Sequence, residues 1–345
     1  MRRPRVPLTA LRVGIVGCGL IGRKRAAALD GDELVACCDV DADVASALAA
    51  AYGADAVDGI DEVLARGPDV VVVAVPHDRL AGFAVRALQG GVHLLVEKPA
   101  GIGTADVDRI AAAADAAGRR VKVGFNHRFH PALQRLLAEV GSGRFGDVLF
   151  ARARYGHGGR VGYDREWRMQ REISGGGELI DQGMHLLDLY HTLLGPLPLV
   201  SALLRTQFWD ADVEDNAVVV LGDPADRAAP WATFHVTWTE WKNLFSLEVT
   251  CRTGKLTVDG LAGSYGPQVL RIYSMTPELG PPGAEEIAFA SEDVSWVHEW
   301  RHLRAALAAG DGRPLSGDLE SARYAWECVE AAYAANGYLV VGRAR

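Results

Sequence analysis

A short apolar run, Arg12–Val16, passes straight into Gly17-Cys18-Gly19-Leu20-Ile21-Gly22 and then into an Ala-rich stretch whose spacing predicts a helix from Arg23 to Leu29. This order of strand, glycine turn and helix constrains the chain more than any other feature. Glycines let the backbone turn sharply and bring it close to an anion. The helix N-terminus beyond offers unpaired N–H groups and the positive end of its dipole. A second apolar run, Leu34–Cys38, ends at Asp39, 17 residues past Gly22. An acidic side chain near that offset is placed to bind the hydroxyls of an adenosine ribose. No Arg or Lys follows in Val40-Asp41-Ala42-Asp43, and a carboxylate repels a 2′-phosphate, so the reading is NAD rather than NADP. Gly17, Gly19, Leu20, Ile21, Gly22 and Asp39 are then cofactor-binding residues; the bland alternative is a plain turn followed by a solvated aspartate.

The same rhythm continues. Val44–Tyr52 is helical, Val70–Val75 is an unbroken apolar run, and His93–Val96 and Val121–Phe125 follow with helical stretches before each. Strand, helix, strand at this spacing predicts a parallel sheet buried on both faces. After Pro131 the rhythm changes. A helix to about Val140 leads to a strand at Val148–Tyr155, a Gly/Arg-rich stretch to Gly177, and a helix at Asp181–Leu194. Strand-like runs then succeed one another without helices: Leu199–Phe208, Asn216–Leu221, Ala232–Thr239, Phe245–Arg252, Lys255–Asp259 and Val269–Tyr273. Pro277–Ala284 reads as a surface loop, and helices at Trp296–Ala309 and Asp318–Tyr338 end the pattern. The expected fold is α/β: a Rossmann domain over 1–128, then an α+β domain over 129–345 with an open, mostly antiparallel sheet. The last helices are free to pack back on the first domain.

Composition narrows the partners. The 345 residues hold 36 Lys+Arg against 44 Asp+Glu, a net charge of −8 that offers a phosphate backbone no general attraction. No apolar run reaches the ~18 residues that a membrane span needs. Met1–Pro7 carries three arginines, but the apolar run after it is too short and Gly-rich for a secretory leader, so the expected location is cytoplasmic. Five cysteines, without a CxxC spacing, read as buried small hydrophobes. The dispersed histidines and carboxylates form no closed ligand set, so no metal is proposed.

Two further motifs carry chemistry. Glu97-Lys98-Pro99 ends the fourth main strand, where open parallel sheets bind ligands, and a lysine there can stabilise a developing alkoxide. Gly175-Gly176-Gly177 leads into Asp181 and His185, spaced i, i+4 on one expected helix face. A carboxylate beside an imidazole fixes its tautomer and raises its basicity, which makes His185 a candidate proton acceptor. Tyr155, His157, Arg160, Tyr163, Trp167 and Arg168 supply aromatic platforms and donors suited to a polyol, unless the stretch is merely a solvated connection. The arginines at 152, 154, 160, 165, 168 and 171 lean toward an anionic group on the substrate.

In this order the motifs resemble the glucose–fructose oxidoreductase / inositol dehydrogenase (Gfo/Idh/MocA) family. Gly124-Phe125-Asn126-His127-Arg128-Phe129-His130-Pro131 is similar to that family's segment entering the second domain. The resemblance implies that Lys98, Asp181 and His185 form the catalytic group. It also places Asn126 near nicotinamide and substrate, with Val75, Pro76, His77 and Glu97 on the cofactor side. Where family members often carry a histidine after Val75-Pro76-His77-Asp78, this chain has Leu80. The implied activity is hydride transfer between NAD and a secondary alcohol of a sugar, a sugar derivative (nucleotide-linked ones included) or a cyclitol, in a homodimer or homotetramer. Lys98, Asn126, Asp181 and His185 also count as substrate contacts. Two other readings stay open: a redox-cycling enzyme that keeps its NAD, acting as an aldose–ketose oxidoreductase or a glycosidase, and a non-catalytic NAD-sensing regulator.

Overall fold

The computed structural model describes residues 10–310 and 314–338; Met1–Pro7, weighed above as a leader, lies outside them. In chain order the first elements are β1 (Arg12–Val16), α1 (Leu20–Ala27), β2 (Glu33–Cys38), α2 (Ala42–Tyr52), β3 (Asp55–Ala56) and α3 (Ile60–Ala65). Then come β4 (Val70–Val73), α4 (His77–Gln89), β5 (His93–Val96), α5 (Thr104–Ala117), β6 (Val121–Val123), α6 (Pro131–Gly141), β7 (Val148–Gly156), α7 (Arg171–Ser174) and α8 (Met184–Leu194). The second sheet adds β8 (Leu199–Arg205), β9 (Asn216–Leu221), β10 (Trp231–Thr237), β11 (Leu244–Cys251), β12 (Gly254–Asp259), β13 (Val269–Ser274) and β14 (Gly283–Ala288). Helices α9 (Ser295–Ala308) and α10 (Leu319–Ala335) follow.

These elements fall into two compact units. Unit 1 runs to Ala100 and includes Asp106–Gly124 and Trp296–Leu319; unit 2 holds Gly101–Ala105, Phe125–Ser295 and the chain from Glu320. The expected boundary after residue 128 left the last helices free to pack back on the first domain; the units interleave, with α9 belonging to unit 1 and α10 to unit 2. Burial explains the first of these memberships. Trp300, Leu303 and Ala306 of α9 join Val13, Ile15, Leu34, Val70 and Val72 in one core cluster, and Trp300 Nε1 donates to Asp32 Oδ2 at 2.8 Å. Burying a tryptophan contributes roughly 4–6 kcal/mol at ~25 cal/mol per Å².

Unit 1 is an all-parallel sheet in the order β3-β2-β1-β4-β5-β6. The four valines of β4 are fully buried, as a strand covered on both faces requires. Strand order reverses between β1 and β4, so the crevice at their carboxyl ends is the topological switch point where such sheets bind ligands.

Unit 2 is an eight-stranded sheet in the order β14-β13-β12-β11-β7-β10-β9-β8, antiparallel except where β10 runs parallel to β7. Alternation places Ala151, Ala153, Phe234, Val236, Leu247 and Val249 on a buried face. Phe150, Arg152, Trp231 and Glu248 share the other. The expected loop at Pro277–Ala284 is overlapped by β14, an edge strand paired to β13. All five cysteines are buried thiols, and among the described residues no helix is long and apolar enough to cross a membrane.

Candidate active site

The glycine turn is shaped by close contacts rather than by flexibility. Gly17 sits at φ +93°, and a Cβ there would lie 2.3 Å from Ala74 O. A Cβ on Gly22 would lie 1.9 Å from Gly17 O, so α1 packs its backbone directly on the turn. A Cβ on Gly19 would meet nothing within 4 Å; this exposed N-cap has no side-chain cap and leaves an open cradle at the helix start. Asp39 Oδ2 accepts from Cys18 N at 2.6 Å and Oδ1 from Asp41 N at 3.0 Å, which pins the carboxylate to the rim of the turn. Val75 backs Gly17, and Pro76 caps α4, which begins at the buried His77. Backbone donors, an empty cradle and a fixed carboxylate fit the pyrophosphate and adenosine ribose of a dinucleotide.

Glu97 and Lys98 follow β5. Glu97 belongs to a buried ionic cluster: its Oε1 lies 2.5 Å from both Nε and Nη2 of Arg25, whose Nη1 meets Glu299 Oε2 at 2.5 Å. Lys122 Nζ closes the set on Glu299 Oε1 at 2.7 Å. Burial opposes the Glu299 charge, but Lys122 and Arg25 together hold its carboxyl below the usual range. Two cations and two anions thus anchor the residue before Lys98, which is itself partly exposed.

In unit 2, Gly177 starts the approach to Asp181. A Cβ there would lie 1.9 Å from Glu214 O. The fully buried Glu214 carboxylate accepts from Gly177 N (3.2 Å), Leu179 N (3.0 Å) and Tyr333 Oη (2.9 Å), while burial pushes its pKa up to about 7 against those bonds. The turn it holds is not α-helical. Leu179–Gly183 is a π-helical turn that passes into α8 at Met184. The expectation of one α-helix from Asp181 is corrected here: the first turn closes i→i+5 bonds, and the α-helix begins only at Met184. Asp181 lies 3.9 Å from Arg168 Nε. His185 is 6% exposed, and its ring stacks on His127 with centroids 3.7 Å apart and planes 19° apart. Phe125 meets His185 edge-on at 6.3 Å.

His127 lies within the Gly124–Pro131 segment, where no spacing of its own marks it as a site residue. Its Nε2 is 3.0 Å from Tyr155 Oη and its Nδ1 3.2 Å from Asn126 Oδ1. Tyr155 is therefore a buried neighbour of the His127/His185 pair. Gln182 Nε2, one residue past Asp181, donates to Tyr265 Oη at 2.9 Å, and the Tyr265 ring lies 5.3 Å from that of Tyr155.

The other expected substrate residues gather in the same unit. His157 Nδ1 accepts from Gly159 N at 3.0 Å, its ring meets Tyr163 edge-on at 5.5 Å, and burial pushes its pKa down. Tyr163 is buried with Met169, Val213 and Trp238, and burial raises its hydroxyl, reinforced by the charge on Asp181. Arg168 stacks over Trp167 at 4.5 Å. Arg160 pairs with Glu166, Arg152 with Glu248 at 2.6 Å, and Arg171 donates to Asp212 O. Arg152, Arg160, Arg168 and Arg171, four of the six arginines read as leaning toward an anionic group, have protein acceptors. Among the described residues no three His, Cys, Asp or Glu side chains cluster as metal ligands.

Comparisons with known proteins agree with this architecture. Residues 11–125 match the oxidoreductase family with an NAD-binding Rossmann fold, and residues 133–257 the GFO/IDH/MocA C-terminal domain. A putative UDP-kanosamine synthase oxidoreductase subunit from Amycolatopsis mediterranei is 35% identical over 54% of this chain, though that match spans only 52% of the relative. The dTDP-3,4-didehydro-2,6-dideoxy-α-D-glucose 3-reductase of Streptomyces violaceoruber is 29% identical over 88% of this chain and 87% of its own length. Among solved structures, GenD2 from gentamicin A biosynthesis, in complex with NAD, superposes with a TM-score of 0.81 at 27% identity, covering 99% of this chain and 98% of that one.

Proposed function

Because the chain belongs to the Gfo/Idh/MocA oxidoreductase family, we propose that it is an NAD-dependent dehydrogenase acting on a secondary alcohol, or the matching ketone, of a sugar, sugar derivative or cyclitol. The observation that carries this reading is the buried His185, stacked on His127, whose ring nitrogens meet Asn126 and Tyr155, in a unit rich in aromatic and hydrogen-bonding side chains. In the oxidative direction His185 accepts the proton of the substrate hydroxyl, with Asp181 supporting the resulting positive charge. Lys98 donates to the same oxygen and stabilises its negative charge as the O–H bond breaks. NAD, when bound, supplies the two-electron acceptor for the substrate's C–H hydrogen. In the reductive direction His185 returns its proton to the ketone oxygen. Asn126, His157, Tyr163, Trp167 and Arg168 orient the polyol, and Arg160 contributes from the exposed rim. A panel of sugars, nucleotide sugars and cyclitols, followed by NADH absorbance, tests the assignment. If no member is turned over while the purified chain releases tightly held dinucleotide on denaturation, the redox-cycling reading takes its place.

Asp39 makes NAD the preferred form, since its fixed carboxylate accepts from ribose hydroxyls and repels a 2′-phosphate. Replacing it, Asp39→Ser, is expected to weaken NAD binding and narrow the gap to NADP in a fluorescence titration. Tighter NADP binding by the unaltered chain would show this assignment to be wrong.

Self-association follows from the second face of the unit 2 sheet, where Phe150 stacks on Trp231 at 5.0 Å and Trp231 and Val218 stay exposed. A homodimer or homotetramer that buries this face removes apolar surface from water. Light scattering at micromolar concentration is expected to give a multiple of 37.0 kDa; a mass equal to one chain counts against it.

A further inference from the structure

The hydrogen bonds around His127 can all run in one direction. Asp293 provides a carboxylate acceptor, and Ser295 gives it both donors: N at 3.0 Å and Oγ at 2.6 Å, each to Oδ1. With its proton committed there, Ser295 Oγ accepts from Asn126 Nδ2 at 2.9 Å. The amide thereby turns Oδ1 toward His127 Nδ1, so that nitrogen carries the proton. The Nε2 lone pair is left to accept from Tyr155 Oη. Burial holds the Tyr155 hydroxyl protonated; Tyr265 Oη, which accepts from Gln182 Nε2 at 2.9 Å, is placed to donate to Tyr155 Oη and leave the Tyr155 proton to His127. Ser295, Asn126, His127 and Tyr155 are all buried, so water does not compete along the string.

We propose that His127 is a positioning residue for His185: the string locks it as the neutral Nδ1–H tautomer, and its uncharged ring, stacked on His185, leaves His185 as the one imidazole of the pair that takes up a proton. This rests on the reading of His185 as proton acceptor. Two imidazolium rings stacked 3.7 Å apart would repel, so a second cation on His127 would oppose the proton that His185 must accept. The titratable and charged groups around the pair are His130, whose ring meets that of His127 edge-on at 5.4 Å, Tyr155 beside His127, and Tyr265, Asp181 and Glu178, which act on Tyr155. Arg128 is tied to Asp188 at 2.6 Å, and His130 lies 3.8 Å from Asp293.

The test is a ¹H–¹⁵N titration of the histidine side chains in the full chain, from about pH 5 to about pH 9, with signals assigned through His127→Gln and His185→Gln. In the unaltered protein His127 is expected to keep the Nδ1–H pattern without titrating, while His185 titrates in one step. Tyr155→Phe removes the donor to Nε2. His127 should then take up protons, and the His185 midpoint should fall by about half a pH unit or more, roughly a threefold loss of proton affinity. His127→Phe keeps an uncharged stacked ring and should retain the one-step titration. A His127 that titrates or carries its proton on Nε2 in the unaltered protein overturns the proposal, as does a His185 midpoint unmoved by Tyr155→Phe. No substrate is needed, so failure of the dehydrogenase reading and failure of this one are told apart.

Discussion

His185→Ala is expected to slow single-turnover hydride transfer by ~10²–10⁴-fold, or roughly 3–5 kcal/mol on the barrier, while NAD affinity stays close to that of the unaltered chain. In the proposed mechanism the imidazole acts on the substrate oxygen, and the glycine turn and Asp39, proposed to hold the dinucleotide, lie in the other unit. Lys98→Met keeps the length of the side chain but loses its charge, so the alkoxide goes unsupported and the rate should drop sharply as well. Asp181→Asn retains a polar group on the π turn and should cost less, with its clearest signature a shifted pH profile. If His185→Ala transfers hydride at a near-normal rate across pH, the imidazole is structural and Lys98 becomes the leading proton acceptor.

Arg25→Met should destabilise the folded chain by ~3–5 kcal/mol, the usual cost of removing one partner from a buried ion pair. Arg25 is 2% exposed between two carboxylates, Glu97 and Glu299. Without it, Lys122 alone faces two buried negative charges. Urea unfolding of Arg25→Met, and of Arg25→Met combined with Glu97→Gln, measures the effect; the double variant should regain part of the loss because one stranded charge is gone. A single-variant loss below about 1 kcal/mol would mean that water reaches the cluster. Activity should fall beyond the stability loss, since Glu97 directly precedes Lys98.

Much of the candidate site could be read locally. The glycine turn, Asp39, Lys98 and His185 each belong to short motifs whose spacing carries their chemistry. The pairing of Arg152, Arg160 and Arg171 with protein acceptors was not legible, because no spacing announces it. The second histidine was also missed: His127 meets His185 across 58 residues of chain, and nothing near either marks the stack.

The parallel order of unit 1 and six of the strands after residue 198 were legible for the same reason, since period and composition report whether each residue faces a core. Strand β14 was not. Five of its six residues are exposed, so its place at the sheet edge leaves no alternation in Gly283–Ala288. Nor could periodicity say which core a buried face enters. The pattern of α9 announced a helix, but only the fold assigned Trp300 and Leu303 to unit 1. Arg25 and Glu299 lie 274 residues apart, Glu214 and Tyr333 119. Local sequence determined which groups must be buried or hydrogen-bonded. Tertiary structure alone decided with whom, because that choice depends on contacts between segments whose separation along the chain erases any shared pattern.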